Sequence, residues 1–198
     1  MSREQGARAI FLDRDGTLIE DTGYPNDPER VSLLAGVGEA LGQLKGRGFL
    51  LILVSNQSGI GRGLVTPDAA EEVHRRMAVL LQAKGVKLDG AYYCYHTPEQ
   101  ACDCRKPAPG MLLQAARDFG LNLARCFLVG DKSSDLEAGH RAGCKTIFLS
   151  SARPADSSHA GLGAIAHDWR GVLEKIQADD EQTARIAANA RRVIAGQE

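Results

Sequence analysis

Ile10-Phe11-Leu12-Asp13-Arg14-Asp15-Gly16-Thr17-Leu18 is the stretch whose reading decides the fold. Three apolar residues run into two carboxylates spaced i, i+2, and then into a Gly-Thr turn. A short continuous apolar run is how a strand buried on both faces of a parallel sheet reads. Acids at its carboxyl end stand where open α/β sheets place their ligands. Strand alternation puts Asp13 and Asp15 on one face, from which both address one substrate atom. Gly16 lets the turn bend tightly and bring backbone N–H groups to an anion.

Outward from this stretch, apolar runs and helical stripes alternate. Phe49–Val54, Ala91–Tyr95, Cys126–Val129 and Thr146–Leu149 read as further strands. Between them, Val37, Ala40, Leu41 and Leu44 follow helical spacing, as do Val73, Met77, Leu80 and Leu81 after the helix start Thr66-Pro67. Met111, Leu112, Ala115, Ala116 and Phe119 mark a helix closed by Gly120, and Ser134–Ala142 one closed by Gly143. Residues 20–32, with Gly23, Pro25, Asn26, Asp27 and Pro28, read as a loop or tight hairpin. Strand–helix alternation of this kind predicts an α/β fold: a parallel sheet with helices on both faces. Ser150–Gly163 reads as a surface loop, and Trp169, Val172, Leu173 and Ile176 as a last helix on the core. The expected organisation is one domain over residues 8–178, then a polar tail over 179–198. In that tail Ile186, Ala190, Val193 and Ile194 form another amphipathic turn or two.

Composition narrows the function. In 198 residues, Lys plus Arg is 24 against Asp plus Glu at 25, a net charge of −1. No global field invites nucleic acid or an anionic membrane, so any anion site is local. The longest apolar run, Phe49–Val54, is too short to span a bilayer. The first eight residues carry no apolar signal core, and five cysteines is an odd count, so a reducing cytoplasm is expected. No stretch demands a partner, which predicts a monomer.

The chemistry gathers at the strand ends. Asp13 and Asp15 follow the first strand, and Ser55 and Asn56 the second. Arg105-Lys106-Pro107 follows the third strand and its loop. Gly130-Asp131-Lys132 follows the fourth, with Asp135 one helical turn on. A hydroxyl, a fixed cation and three or four carboxylates suit phosphoryl transfer, and carboxylates with open water positions suit Mg²⁺. For Asp131 and Asp135 the plain structural alternative is a helix N-cap with a first-turn acid.

Asp-Arg-Asp-Gly-Thr at 13–17, Ser55, Lys106 and Gly-Asp-x-x-x-Asp at 130–135, in this order, resemble the haloacid dehalogenase (HAD) superfamily of phosphohydrolases. The resemblance implies a HAD-like, Rossmann-type three-layer fold. It also implies that Asp13 attacks phosphorus and forms an aspartyl-phosphate. Asp15 protonates the leaving alkoxide and then deprotonates water. Asp13, the backbone carbonyl of Asp15, and Asp131 hold Mg²⁺ with Asp135 in support, while Ser55 and Lys106 bind the phosphoryl oxygens. Only one loop and one helix separate Asp15 from Ser55, so no cap domain is expected. No Gly-x-x-x-x-Gly-Lys-Ser/Thr motif suggests a fused kinase.

A second cluster is Cys94, His96, Cys102 and Cys104. Ten Cys and His residues in the chain lead one to expect about 0.6 in an eleven-residue window, and residues 94–104 hold four. Four ligands with no open position predict a structural zinc, which would fasten the loop and place Arg105 and Lys106. A HAD core with such a loop resembles two subfamilies, acting on a heptose bisphosphate or on histidinol phosphate. Asp21-Thr22-Gly23-Tyr24, together with residues 55–63, resembles the heptose group. That resemblance implies substrate contacts at Asp21, Thr22, Gly23, Tyr24, Ser55, Asn56, Gln57, Arg105 and Lys132. Ser55 stands where threonine is usual, which preserves the hydroxyl. A sugar bisphosphate needs a second cationic patch, which Arg62, Arg105 and Lys132 supply, whereas the amine of histidinol phosphate calls for acids. A reading of another class is a zinc-stabilised binding module without catalysis, and the intact acid, hydroxyl and lysine set speaks against it.

Overall fold

The computed structural model describes residues 6–150 and 163–194. In chain order its elements are β1 (Ala9–Leu12), α1 (Val37–Gly46), β2 (Leu50–Asn56), the single turn α2 (Ser58–Gly61), α3 (Pro67–Ala83), β3 (Gly90–Cys94), α4 (Gly110–Phe119), β4 (Phe127–Gly130), α5 (Ser133–Ala142), β5 (Lys145–Leu149), β6 (Ala164–Ala166) and α6 (Trp169–Ile194). The six strands form one sheet in the order β3-β2-β1-β4-β5-β6, every pair parallel. The chain walks outward from β1 to β3 on one side, then returns and walks from β4 to β6 on the other. β1 therefore lies at the reversal point, whose carboxyl end opens a crevice for ligands.

Strand alternation explains the three layers. Ile10 and Leu12 of β1 and Leu51 and Leu53 of β2 face α1, α3 and α6, where they meet Leu41, Leu44, Met77, Trp169 and Ile176. Ala9, Phe11, Ile52 and Val54 face the other way, onto Met111, Leu112 and Ala115 of α4 and Ala138 of α5. Both faces of the central strands are thus sealed, which is why they read as unbroken apolar runs. Thr66 caps α3 as its sequence predicts, its side-chain oxygen accepting from the Ala69 N–H at 3.2 Å with Pro67 in the first helical position. One 3₁₀ turn and α1 lie between β1 and β2, and only α2 and α3 between β2 and β3, so no cap is inserted. Among the described residues, no helix is long and apolar enough to cross a membrane.

Residues 20–32 form the expected loop or hairpin, closed at its base by an antiparallel bridge between Ile19 and Leu33. Three features differ from the sequence expectation. Ser58–Gly61, to which the sequence pattern assigns no helix, makes a helical turn. A sixth strand of three residues extends the sheet at Ala164–Ala166, too short for periodicity to reveal. The expected step from domain to tail at 178/179 falls inside the continuous helix α6. Its first acids do not begin a solvated tail. Asp180 pairs with Arg8 just before β1, and Asp179 with Lys145 at the start of β5, which hold the helix along the amino end of the sheet. Ile186 is exposed. The side chains of Ala190, Val193 and Ile194, and most of the 150–163 loop, lie outside the described residues.

Candidate active site

β1 delivers Asp13 one residue past its end, and the Asp13 N–H still donates to the Val129 carbonyl at 3.1 Å. The carboxylate is 5% exposed and faces Lys106, itself 3% exposed. The Lys106 ammonium donates to Asp13 Oδ1 at 2.7 Å and to the Val54 carbonyl at 2.8 Å, and pairs with Asp135 Oδ1 at 2.6 Å. Burial alone would lower its pKa, but attraction to Asp13 and Asp135 outweighs that and holds it above the ordinary lysine range. Asn56 fixes the backbone of the lysine from both sides: its Oδ1 accepts from the Lys106 N–H at 3.0 Å, and its Nδ2 donates to the Lys106 carbonyl at 2.9 Å.

Asp135 combines the two readings its position allows. It sits in the first turn of α5, where its Oδ2 accepts the Lys132 N–H at 3.0 Å, and its other oxygen pairs with Lys106. Gly130 is required there, since a Cβ would stand 2.4 Å from the Asp135 side chain. Asp131 lies against the opening turn, its Oδ1 accepting from Thr17 Oγ1 at 3.4 Å. Gly16 has φ 79°, and a Cβ on it would meet Asp131 Oδ2 at 2.3 Å, so the turn needs glycine twice over. Behind the turn, Trp169 of α6 donates its Nε1–H to the Thr17 carbonyl at 2.8 Å.

One expectation is corrected. β1 stops at Leu12 and the chain bends at Arg14, so Asp15 does not share a strand face with Asp13. Its carboxylate instead receives two hydrogen bonds from Arg14, at 3.0 and 3.1 Å, and one from Gln57 at 2.9 Å. The Gln57 amide also donates to Ser55 Oγ at 2.9 Å. Arg14, given no role from sequence, is 1% exposed and belongs to this network. Its signal is its place: an arginine two residues past a fully apolar strand needs a buried partner.

Among the described residues, two groups of side chains can hold metal ions. One oxygen each from Asp13, Asp131 and Asp135 lies within 4.8 Å of the others. Burial, together with the neighbouring carboxylates and against the pull of Lys132, pushes the Asp131 carboxyl up to about 6. Acids crowded in this way are stabilised by a cation among them, and an all-oxygen donor set fits Mg²⁺. The second group is Cys94, His96, Cys102 and Cys104. Its sulfurs stand 3.2, 3.5 and 3.7 Å apart, and the His96 Nδ1 lies 3.3 and 3.5 Å from two of them. A tetrahedron with metal–sulfur bonds of about 2.3 Å has edges near these lengths, so the donors fit zinc in number, softness and spacing.

Around this centre lie the remaining expected residues. Asp21 Oδ2 pairs with the Lys132 ammonium at 3.2 Å, and Asp21 Oδ1 accepts the Gly23 N–H at 2.8 Å. Thr22 is exposed, and the half-exposed Tyr24 ring lies over Gly59. On the opposite flank, Arg62 pairs with Glu99 at 3.8 Å, and Arg105 donates to the His96 carbonyl at 3.1 Å. The cationic residues thus divide into two flanks, Lys132 beside Asp21 and Arg62 with Arg105 beside the cysteine loop.

A parallel sheet with an acid-rich, lysine-bridged site at its reversal point defines a HAD-type hydrolase, and a HAD-hydrolase-like family model matches residues 103–178. The chain is 47% identical over 151 residues to D-glycero-β-D-manno-heptose-1,7-bisphosphate 7-phosphatase of Haemophilus ducreyi, covering 73% of this chain and 83% of that protein. It is 39% identical over 173 residues to the α-anomer 7-phosphatase of Burkholderia mallei, covering 84% and 92%. The crystal structure of D,D-heptose 1,7-bisphosphate phosphatase from B. bronchiseptica, complexed with magnesium and phosphate, superposes with a TM-score of 0.78 at 29% identity, covering 87% of this chain and 99% of that one. The chain belongs to this family of HAD-like heptose-bisphosphate phosphatases.

Proposed function

We propose that this phosphatase removes the 7-phosphate of D-glycero-D-manno-heptose 1,7-bisphosphate through an aspartyl-phosphate on Asp13. The observation that carries the chemistry is the buried Asp13–Lys106–Asp135 line at the sheet's reversal point. A carboxylate fixed by a lysine, with its backbone on the ladder, is oriented for attack before substrate arrives. The Lys106 ammonium and the Ser55 hydroxyl neutralise and hold the phosphoryl oxygens. Asp15 gives its proton to the departing sugar oxygen and later takes one from the water that releases phosphate. Asp13, the carbonyl of Asp15, and Asp131, with Asp135 in support, are the residues that would hold Mg²⁺. When bound, it supplies Lewis-acid stabilisation of the phosphoryl charge.

The substrate reading rests on the similarity to heptose-bisphosphate phosphatases and on the flanking cations. Arg62 and Arg105, on the flank of the cysteine loop, suit the far phosphate, while Lys132 and Asp21 to Tyr24 line the approach from the other flank. Asn56 and Gln57, also expected to touch substrate, direct their side-chain groups to Lys106 and to Arg14, Asp15 and Ser55. Relatives named for either anomer share the similarity, so the reading is for the heptose bisphosphate as a class. Steady-state assays with this compound and with histidinol phosphate test it. A kcat/KM at least about tenfold higher on the heptose compound is expected, a gap of about 1.4 kcal/mol. Preference for histidinol phosphate overturns the choice. The accompanying reading is a cytoplasmic monomer acting on a small sugar bisphosphate, without nucleic-acid or membrane partners.

Zinc at Cys94, His96, Cys102 and Cys104 is part of the same proposal. Metal analysis of protein purified without chelator is expected to find about one zinc per chain. Cys104→Ser is expected to lower the zinc content and weaken activity by loosening the segment that carries Arg105 and Lys106. Full zinc occupancy in the Cys104→Ser protein counts against the site.

A further inference from the structure

We infer that Arg14 and Gln57 are positioning residues that aim the Asp15 carboxyl at the leaving oxygen, an inference that rests on the acid–base reading of Asp15. Adjacent residues on an extended strand point to opposite sides, so a fork between Arg14 and Asp15 forms only because the chain bends between them. Nε and Nη2 of Arg14 each take one oxygen of Asp15, and Nη2 also donates to Gln57 Oε1 at 2.7 Å. Gln57 returns a bond from Nε2 to Asp15 Oδ2, which closes a ring of three side chains. The same Nε2 reaches Ser55 Oγ, and the Gln57 backbone N–H is fixed on the Cys94 carbonyl at 2.7 Å. The ring therefore ties Asp15 to the hydroxyl that would hold the phosphoryl group, and both to the end of β2. A planar fork sets carboxylate orientation as well as charge, which a lysine does not. Arg14 also borders a cavity of about 120 Å³ that Glu71, His74 and Tyr93 line.

The step served is balanced within the chain. As an Asp13 oxygen bonds to phosphorus, the bond from phosphorus to the sugar oxygen breaks with its electron pair on that oxygen. The proton it needs comes from the Asp15 carboxyl, which is left as carboxylate. An alkoxide leaves poorly without that proton, whereas 4-nitrophenolate leaves well without it. Misaiming Asp15 therefore penalises alkyl phosphates selectively.

The test is the ratio of kcat/KM on heptose 1,7-bisphosphate to kcat/KM on 4-nitrophenyl phosphate, measured with one preparation of each variant. The fraction of folded enzyme cancels in that ratio. Arg14→Met is expected to lower it about tenfold, with Arg14→Lys and Gln57→Met also below wild type, a smaller loss than the 10²–10⁴ that general acid catalysis spans in full. Asp15→Asn serves as the reference and is expected to lower it further. A normal ratio in the Arg14 and Gln57 variants beside a collapsed one in Asp15→Asn overturns the positioning role alone. An unchanged ratio in Asp15→Asn overturns the acid–base reading and the inference with it.

Discussion

Asp13→Asn is expected to lower kcat by about 10⁴-fold or more while the protein stays folded. The substitution is nearly isosteric, and its neighbours account for both halves of the expectation. Lys106 keeps its bonds to Asp135 and the Val54 carbonyl, and the backbone of residue 13 stays on the Val129 carbonyl. The buried ammonium thus keeps a counter-charge. Chemistry suffers instead, because an amide oxygen is a poor nucleophile and cannot form the acyl-phosphate that divides the reaction into two steps. Single-turnover assays beside a urea melt separate the outcomes. A stable protein with less than a tenfold loss of turnover removes covalent catalysis by Asp13.

Lys106→Met is expected to act on stability as much as on rate. The lysine is the ammonium seen touching both Asp13 and Asp135, which are 5% and 1% exposed. Replacing one partner of a buried ion pair with an apolar chain costs about 3–5 kcal/mol, because the surviving charges have neither water nor a counter-ion. Here two acids are stranded, so the upper half of that range is expected for the metal-free protein, read as a shift of the urea midpoint. Turnover should fall about 10²–10³-fold as well, the loss typical of removing one fixed donor from a developing negative charge. A midpoint within error of wild type contradicts the idea that this lysine neutralises the two acids.

How far these groups were legible follows from how local their signals are. The apolar runs of β1 to β5 announce themselves, because a strand covered on both faces leaves no polar alternation to confuse. Asp13, Lys106, Asp131 and Asp135 were legible as residues beyond strand ends, and the cysteine cluster by crowding alone. Ser55 was legible at the end of a strand's apolar pattern, although β2 runs one residue past it to Asn56. Asp15 shows the limit. Extending the strand predicts its orientation by alternation, whereas the strand ends at Leu12 and a bend at Arg14, which no periodicity encodes, gives it Arg14 and Gln57 as partners. Arg14 was hidden for the same reason, since its partners are an adjacent residue and one 43 positions away. β6 is too brief for a pattern. The run of α6 past 178 was masked because Asp179 and Asp180 read as solvent-facing until Lys145 and Arg8 are seen opposite them.

The way the cysteine loop is fastened has a consequence for descent. At its start, the Cys94 carbonyl is gripped by the backbone of Gln57. At its finish, both backbone groups of Lys106 are gripped by the side chain of Asn56. Both anchors belong to the end of β2 and owe nothing to the residues between 95 and 105. That interval behaves as a cassette: apart from the metal-site side chains His96, Cys102 and Cys104, its letters can be rewritten, and its reach toward different substrates revised, while the lysine at its exit keeps its seat.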